Sequence, residues 1–189
     1  MLKQKNGTMN TKYTTLYTDT EIGNYERSLA KHINKHHKEN PLPSTGVCVL
    51  NGGVMFYTGV MKYLAFDIRM DFVKVSTYEG TEKMPASRYE FNQVGNKIAD
   101  GQRLYVFDDI IDSGETAMIL GMRYKQLYNP AEMILCSLIR RDSTPIDKLK
   151  TIYSEVWSGF TTDEWCFGKG MDDENGFMRQ LPMIMKLTN

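Results

Sequence analysis

The segment that constrains this fold most is residues 105–116, which read YVFDDIIDSGET. Its apolar start, together with Leu104 before it, predicts a buried strand, and the apolar density of residues 117–128 predicts a helix after it. Between the two lie carboxylates and a turn of small residues that contains Gly114. A strand that passes into a helix through a short glycine turn is typical of parallel α/β sheets.

The rest of the chain repeats this alternation of strands and helices. Thr18 and Glu21 form a capping-box pair that predicts the start of a helix, and Ile22, Leu29 and Ile33 follow at helical spacing. Short apolar runs predict further strands, the first of which passes through an Asn-Gly-Gly turn into a helical segment. We therefore expect an α/β fold with a central, mostly parallel five-stranded sheet flanked by helices. The strands are predicted at residues 46–50, 72–75, 104–107, 133–139 and 152–156.

The predicted organisation has three parts. Residues 1–17 are largely polar and are expected to form a flexible N-terminal tail. Residues 18–158 carry the alternating pattern and are expected to form the α/β core. Residues 159–189 break that pattern, which predicts a small C-terminal hood over the carboxyl ends of the strands, where such sheets bind ligands. The polar stretch 79–101 is too long for a simple connection and predicts a lid.

Charge and hydropathy exclude several classes of partner. The 23 basic and 23 acidic residues cancel, so no overall field favours nucleic acid or a membrane surface. The N-terminus lacks the apolar run of a signal peptide, and no run of about eighteen apolar residues occurs. We therefore expect a cytoplasmic protein that binds no nucleic acid and no membrane.

The carboxylates after the 104–107 strand suggest ligand chemistry. Asp108 and Asp109 can accept hydrogen bonds from the vicinal hydroxyls of a sugar, or hold Mg²⁺ through water. Asp112, beside the following turn, can take a proton from a nucleophile. The simpler alternative is that Asp112 and Ser113 cap the helix and that the paired aspartates are strand-end charges facing water. Adjacent carboxylates after a buried strand repel each other unless a ligand or cation compensates them, which favours a binding site.

The turn itself has the composition of a phosphate site. Ser113, Gly114 and Thr116 place small side chains and hydroxyls at the start of the predicted helix, where backbone amides are free. Gly114 lets the backbone approach an anion closely. Glu115 is expected to contribute its backbone amide rather than its side chain. The turn therefore predicts a phosphate-binding loop.

Residues 105–116 resemble the signature with which type I phosphoribosyltransferases bind 5-phosphoribosyl 1-pyrophosphate (PRPP). That signature is an apolar strand, two acids, two apolar residues, Asp, Ser or Thr, Gly, any residue and Thr. Further segments resemble the hypoxanthine-guanine branch in matching order over about residues 40–185. The resemblance implies the type I phosphoribosyltransferase fold. The segments are LNGGVMF at 50–56, VSTY at 75–78, SLIRR at 137–141, DEWCFGKGMD at 163–172 and RQLP at 179–182.

The resemblance implies a pyrophosphate loop after the first strand. Its residues are Leu50, Asn51, Gly52 and Gly53, and the family's cis peptide falls at Leu50-Asn51. The family usually has lysine where Asn51 stands, so this loop lacks a point charge. Arg179 is implied as a second pyrophosphate ligand, because its guanidinium can clamp a phosphate bidentately.

Base recognition is implied for the hood and for the strand before it. Arg141, or alternatively Arg140, falls on the family's base-reading lysine and would donate to O6 of a purine. Trp165 would stack on the base, or alternatively anchor the hood. Cys166 would offer its backbone groups to the edge of the base.

A lid and a metal site are also implied. Thr77 and Tyr78 begin a mobile lid that would exclude water from the reaction. Asp172, or alternatively Asp173, is a carboxylate on the base and metal side of the site. The implied magnesium ligands are Asp108, Asp109 and Asp172.

The activity implied is transfer of the 5-phosphoribosyl group of PRPP to a 6-oxopurine base, namely hypoxanthine, guanine or xanthine, in purine salvage. The products would be a purine nucleoside monophosphate and pyrophosphate. N9 of the base would displace pyrophosphate at C1′ while Asp112 accepts or shares the N7 proton, with Mg²⁺ as cofactor. We expect a homodimer or homotetramer. The alternatives are a phosphoribosyltransferase for another base, such as orotate, and a non-catalytic PRPP-sensing regulator that binds RNA or a protein.

Overall fold

The computed structural model of the protein describes residues 13–76, 78–79, 82–83, 90–94 and 98–188. In chain order, the helices and strands of these residues are β1 Tyr13–Tyr17, α1 Asp19–Glu39, β2 Ser44–Leu50, α2 Val54–Met61, β3 Arg69–Ser76, β4 Tyr78–Glu79, β5 Glu82–Lys83, β6 Glu90–Val94, β7 Arg103–Ile111, α3 Glu115–Tyr128, β8 Glu132–Arg140, α4 Ile146–Leu149, β9 Glu155–Thr161, β10 Cys166–Phe167 and β11 Ile184–Leu187.

The central sheet has the strand order β6-β3-β2-β7-β8-β9. Neighbouring strands from β3 to β9 are parallel, which confirms the predicted α/β fold with a mostly parallel sheet. The predicted number of five strands is wrong, because β6 adds an antiparallel edge strand within the stretch assigned to the lid. Residues of β6 alternate between exposed and half-buried, which suits an edge strand and hides it from a search for apolar runs.

β7 is buried on both faces, which explains its unbroken apolar sequence. Tyr105 and Phe107 belong to the hydrophobic cluster formed with α1 and α2, whereas Leu104 and Val106 belong to the cluster formed with α3. All four side chains are fully buried, and each contributes about 1.5–3 kcal/mol by leaving water. Helices therefore cover both faces of the sheet, and none in the described part of the chain is long and apolar enough to span a membrane.

Local hydrogen bonds set two element boundaries, one as predicted and one against the apolar pattern. Thr18 is the N-cap of α1 as predicted, since its Oγ1 accepts the Glu21 amide at 3.3 Å and its amide donates to Glu21 at 2.8 Å. By contrast, β9 spans Glu155–Thr161 rather than residues 152–156. The Ile152 amide donates to the Leu149 carbonyl at 2.9 Å, so this residue continues the turn after α4 and the strand begins later.

Residues 13–17 differ from the flexible tail that the sequence predicts. They form β1, which pairs antiparallel with β11 in a sheet that also contains β10. Tyr13 meets the Phe167 ring edge-on at a centroid distance of 5.0 Å, and Tyr17 stacks on Phe160 at 4.2 Å. Residues 1–12 lie outside the described part of the chain. The division between core and hood at residue 158 stays a prediction, and β9 crosses it to end at Thr161.

Candidate active site

A cleft of about 440 Å³ lies at the carboxyl ends of β2 and β7. Its walls come from the β2–α2 turn (residues 51–53), the β7–α3 turn (residues 112–114) with the end of β7, and the hood. Because β2 and β7 are neighbouring parallel strands, their carboxyl ends meet at one edge of the sheet. The predicted site residues that line the cleft are Leu50, Asn51, Gly52, Asp108, Asp109, Asp112, Ser113, Gly114, Glu115, Thr116, Asp172 and Arg179.

Asp108 is the buried carboxylate of the cleft. Burial, reinforced by the charge of Asp109, raises the pKa of the Asp108 carboxyl well above its usual range. The Asp109 amide donates to Asp108 Oδ1 at 3.0 Å, and the Ile110 amide donates to Asp109 Oδ1 at 3.0 Å. Backbone amides therefore orient both carboxylates. A bound cation would lower the pKa of Asp108 by stabilising its charged form.

The β2–α2 turn needs glycine because other groups fill the space beside it. A Cβ at Gly52 would lie 1.7 Å from Asp109 Oδ2. A Cβ at Gly53, which lies outside the cleft lining as the N-cap of α2, would lie 2.7 Å from a carbonyl oxygen of β2. The Leu50-Asn51 peptide is cis, as predicted. The turn thus brings its backbone directly against an acidic side chain of the cleft.

The β7–α3 turn has the backbone of an anion site. Gly114 has a φ of 75°, a left-handed conformation that favours glycine, and it is the N-cap of α3. The first amides of α3 have no partner within the helix, and Glu115 and Thr116 line the cleft. Ser113 Oγ accepts the Glu115 amide at 3.4 Å. The alternative that Asp112 caps the helix is wrong, since Gly114 holds that position and the Asp112 side chain is 77% exposed.

Arg141 connects Asp112 to the hood. Its Nη1 donates to the carbonyl oxygens of Thr162 at 3.0 Å and Glu164 at 2.6 Å. Its Nε lies 3.7 Å from Asp112 Oδ1. The guanidinium is mostly buried, and neither Arg141 nor Arg140 is among the residues that line the cleft. This contact places a cation between the predicted catalytic acid and the hood backbone.

Arg179 and Asp172 form the part of the cleft wall that the hood contributes. Arg179 Nη2 lies 2.6 Å from Asp172 Oδ2, and its Nη1 donates to the Gly170 carbonyl at 2.7 Å. Asp173 is buried, and its Oδ1 accepts two amides of residues 175–177 at 2.9 and 2.8 Å. Of the two acids that the sequence leaves open, Asp172 therefore faces the cleft and Asp173 shapes the hood loop.

Of the hood residues predicted to contact the base, Asp172 lines the cleft, whereas Trp165 and Cys166 lie outside its lining. Trp165 is 43% exposed, with its ring centroid 5.6 Å from that of Phe167. More than half of the residue is covered, so stacking on a base and anchoring of the hood both stay predictions. Cys166 is buried, and burial raises the pKa of its thiol to about 11. For the lid, Thr77 lies outside the described residues, and Tyr78 belongs to β4, which pairs with β5.

Gly170 is a site residue to which the sequence interpretation gives no role. Its φ is 103°, and a Cβ there would lie 2.0 Å from the Gly52 carbonyl oxygen, so the hood touches the β2–α2 turn. Gly170 itself does not line the cleft. The lining residues that the sequence interpretation did not assign to the site are Val49, Val75, Ile110, Ile111 and Ala117. The available signal was the close spacing of Gly168 and Gly170, because paired glycines mark tight turns.

The described residues contain no group of three or more His, Cys, Asp or Glu side chains arranged to hold a metal ion. Mg²⁺ usually keeps several waters, however, and binds to one or two carboxylates together with phosphates of the substrate. Asp108, Asp109 and Asp172 all line the cleft. They can therefore contribute carboxylates to an ion that the substrate also holds.

Comparisons with known proteins agree with this geometry. Residues 13–174 match the family model described as "Phosphoribosyl transferase domain". The chain is 30% identical over 177 residues to the hypoxanthine-guanine-xanthine phosphoribosyltransferase of Tritrichomonas foetus, covering 89% of this chain and 88% of that protein. It is 27% identical over 170 residues to the hypoxanthine-guanine phosphoribosyltransferase of Streptococcus pyogenes, covering 89% of each. A hypoxanthine phosphoribosyltransferase structure from Staphylococcus aureus has the same fold, with a TM-score of 0.76 at 21% identity, covering 98% of this chain and 97% of that one.

Proposed function

The chain belongs to the phosphoribosyltransferase family, and we propose that its cleft transfers the 5-phosphoribosyl group of PRPP to a 6-oxopurine base. The base becomes a purine nucleoside monophosphate and pyrophosphate is released, which is the chemistry of purine salvage. One observation carries the proposal. The β2–α2 turn, the β7–α3 turn and the Arg179–Asp172 pair meet in a single cleft.

The β7–α3 turn binds the 5′-phosphate in this proposal. Backbone amides at the start of α3 and the hydroxyls of Ser113 and Thr116 supply the donors, and the helix dipole adds about 0.3–1 kcal/mol. Asp108 and Asp109 accept hydrogen bonds from the ribose hydroxyls. The support is that all four residues line the cleft, Asp108 and Asp109 at the carboxyl end of β7 and Ser113 and Thr116 after it.

Pyrophosphate lies between the β2–α2 turn and the hood. Arg179 contributes a guanidinium to the cleft lining, and its planar fork suits two phosphate oxygens. Asp172 and the Gly170 carbonyl hold that guanidinium at 2.6 and 2.7 Å, and these two contacts set its orientation in the cleft wall. Asn51 and Gly52 of the β2–α2 turn line the same cleft and would add backbone groups to this subsite.

The reaction is a displacement at C1′ of the ribose. N9 of the base forms the new bond to C1′, and the bond from C1′ to the pyrophosphate oxygen breaks with its electron pair leaving on pyrophosphate. Asp112 accepts the N7 proton of the base, a role open to it because its side chain is exposed and lines the cleft. Closure of a lid that begins at Thr77 and Tyr78 would exclude water from the bound PRPP.

Mg²⁺ is part of the proposal. When bound, it neutralises phosphate charge and stabilises the departing pyrophosphate. Asp108, Asp109 and Asp172 would hold it, directly or through water. The fit rests on Asp108, whose buried carboxyl lies beside a second carboxylate and has a raised pKa that a cation would lower.

Base recognition is proposed for the hood and the end of β8. Trp165 stacks on the purine, Cys166 offers its backbone, and Arg141 donates to O6, with Arg140 as the alternative. The names of the two relatives include hypoxanthine and guanine, and one includes xanthine, so we propose these three bases. A homodimer or homotetramer and a cytoplasmic location are further parts of the proposal, to be checked by light scattering and cell fractionation.

The test is a base panel. The protein is incubated with PRPP, Mg²⁺ and one base at a time, while pyrophosphate release and nucleotide formation are followed. We expect turnover with at least one 6-oxopurine, at about 1–10³ s⁻¹ as is common for enzymes, and none with orotate. Turnover with orotate alone would show that the base is a pyrimidine and not a 6-oxopurine. PRPP binding without turnover on any base would favour the PRPP-sensing regulator.

A further inference from the structure

A buried ion pair connects the hood to the core away from the cleft. Lys169 Nζ lies 2.8 Å from Glu26 Oε1, and the two side chains are only 10% and 3% exposed. The ammonium neutralises a carboxylate oxygen that makes no hydrogen bond among the described residues. Moving two charges out of water is unfavourable, and a buried pair is weak evidence for stability. Its presence therefore calls for another explanation.

The backbone at Lys169 points to a role for its side chain. Residues 168–171 form a tight turn, the hood turn, closed by reciprocal bonds of 2.9 and 3.1 Å between the Gly168 and Met171 backbones. Lys169 has a φ of 50° within this turn, a left-handed conformation that disfavours residues with a Cβ. Glycine would adopt it without strain. Backbone strain of this kind persists where surrounding contacts hold the residue in place. At this position the contact is that of the Lys169 ammonium with Glu26.

The carboxylate of Glu26 occupies a space that the core leaves open. It projects from α1 to α2, where a Cβ at Gly59 would lie 2.1 Å from Glu26 Oε1. α2 begins directly after the β2–α2 turn, which lines the cleft. The ion pair therefore fixes the hood turn relative to the helix that continues from the proposed pyrophosphate loop.

The residue after Lys169 transmits this position to the cleft. Gly170 lies against the Gly52 carbonyl oxygen, which a Cβ at position 170 would approach to 2.0 Å. The Gly170 amide donates to the Arg179 carbonyl at 2.9 Å, and the Gly170 carbonyl accepts Arg179 Nη1 at 2.7 Å. A shift of the hood turn would thus move Arg179 away from Gly52.

We propose that Glu26 and Lys169 are positioning residues for pyrophosphate binding. Their ion pair holds the hood turn against the β2–α2 turn and thereby sets Arg179 opposite Gly52. Neither side chain lines the cleft, so both act through Gly170. This inference rests on the proposed function of Gly52 and Arg179 as pyrophosphate ligands. We therefore expect loss of the ion pair to weaken the binding of PRPP rather than the binding of the base.

The experiment compares four variants with the wild type. Lys169→Met removes the ammonium and should raise KM and Kd for PRPP about 10- to 100-fold, since small misplacements of binding groups have effects of this size. Glu26→Gln/Lys169→Met leaves no unpaired buried charge and should show the same rise. Lys169→Arg keeps the cation and should stay near wild type. Lys35→Met breaks the exposed Lys35–Glu39 pair and should change nothing.

The readouts are KM for PRPP and for the base, Kd for PRPP by calorimetry, and thermal stability. A selective rise for PRPP in a double variant of wild-type stability supports the proposal. If the double variant recovers both PRPP binding and thermal stability, the pair is merely structural and the proposal is overturned. Failure of the double variant to fold has the same consequence. An equal rise for both substrates also overturns it. Absence of wild-type turnover would overturn the proposed function, whereas calorimetry would still test the ion pair.

Discussion

The β7–α3 turn and the hood meet at one cleft but are held in place by different means. In the turn, contiguous residues present carboxylates and amides because a buried strand ends and a helix begins at Gly114. In the hood, Arg179 is placed through Gly170, and Gly170 through the pairing of Lys169 with Glu26 from the other end of the chain. The core thus presents its polar groups through local backbone geometry, whereas the hood depends on side-chain contacts between distant residues.

This difference predicts how each region responds to substitution. A change in the core turns removes a group that no other segment replaces, so the loss should be large and independent of the base. A substitution in the hood alters one contact among several, so the loss of activity should be smaller and should affect the KM of one substrate.

Removal of divalent cations should have the greatest effect. Excess chelator should abolish turnover, because Asp108 and Asp109 cannot share the cleft with phosphate groups without compensating positive charge. Pyrophosphate release is measured in chelator and again after Mg²⁺ is added in excess. Full turnover in chelator would show that the reaction needs no metal.

Asp112→Asn should lower turnover by about 10²–10⁴-fold, because it keeps the shape of the side chain and removes its basicity. PRPP affinity and thermal stability should stay unchanged, since Asp112 is exposed and is not the helix cap. Both are measured beside turnover on the purine. Turnover near that of the wild type would show that Asp112 is not the proton acceptor.

Gly52→Ala should raise KM for PRPP by about 10²-fold, because the added Cβ would displace the Asp109 carboxylate that lies 1.7 Å from its position. The matched control is Gly23→Ala in α1, where the Cβ would meet only Arg27 at 3.6 Å or more. Steady-state kinetics with saturating base measures both variants. A normal KM in Gly52→Ala would show that the turn relaxes freely.

Arg141→Ala should raise KM for the base about tenfold or more, the expected loss when a buried acceptor such as O6 has no donor. KM for PRPP should change far less. The same variant also breaks the contacts to Thr162 and Glu164, so thermal stability is measured in parallel. Equal losses for both substrates would make Arg141 a structural link and return base reading to Arg140.

The mildest effect is expected at Trp165. Trp165→Ala should raise KM for the base by about 2- to 12-fold, the range for a lost aromatic stack. Trp165→Phe should retain most of the activity, because a stacked face is required rather than the indole nitrogen. If both variants unfold at the same lowered temperature, the ring is an anchor of the hood.

The sequence predicts the core better than the hood because the core's signals are local. The strand that carries Asp108, the turn at Gly114 and the helix after it are each visible within one segment, and residues 108–117 of that segment line the cleft. β1 gives no such signal, because its pairing partner β11 lies at the other end of the chain. β6 is also not predicted, because the sequence of a largely polar edge strand resembles that of a loop.

The site residues likewise divide into those with a local sequence signal and those placed by tertiary contacts. Asp172 and Asp173 are adjacent acids in the sequence, and tertiary contacts separate their roles. Asp172 pairs with Arg179 in the cleft wall, whereas Asp173 accepts hydrogen bonds from amides of its own loop. The partnership of Glu26 with Lys169 cannot be read from spacing, because the two residues lie near opposite ends of the chain and their contact is purely tertiary. The hood turn is a partial exception, since Gly168 and Gly170 mark it.

In the proposed division, the core turns bind PRPP and Trp165 of the hood contacts the base, so the two contributions should be separable by kinetics. The decisive experiment measures initial rates over a matrix of PRPP and purine concentrations for Gly52→Ala and Trp165→Ala beside the wild type. We predict a raised KM for PRPP alone in Gly52→Ala and a raised KM for the base alone in Trp165→Ala. A similar rise of both constants in both variants would contradict this division of labour.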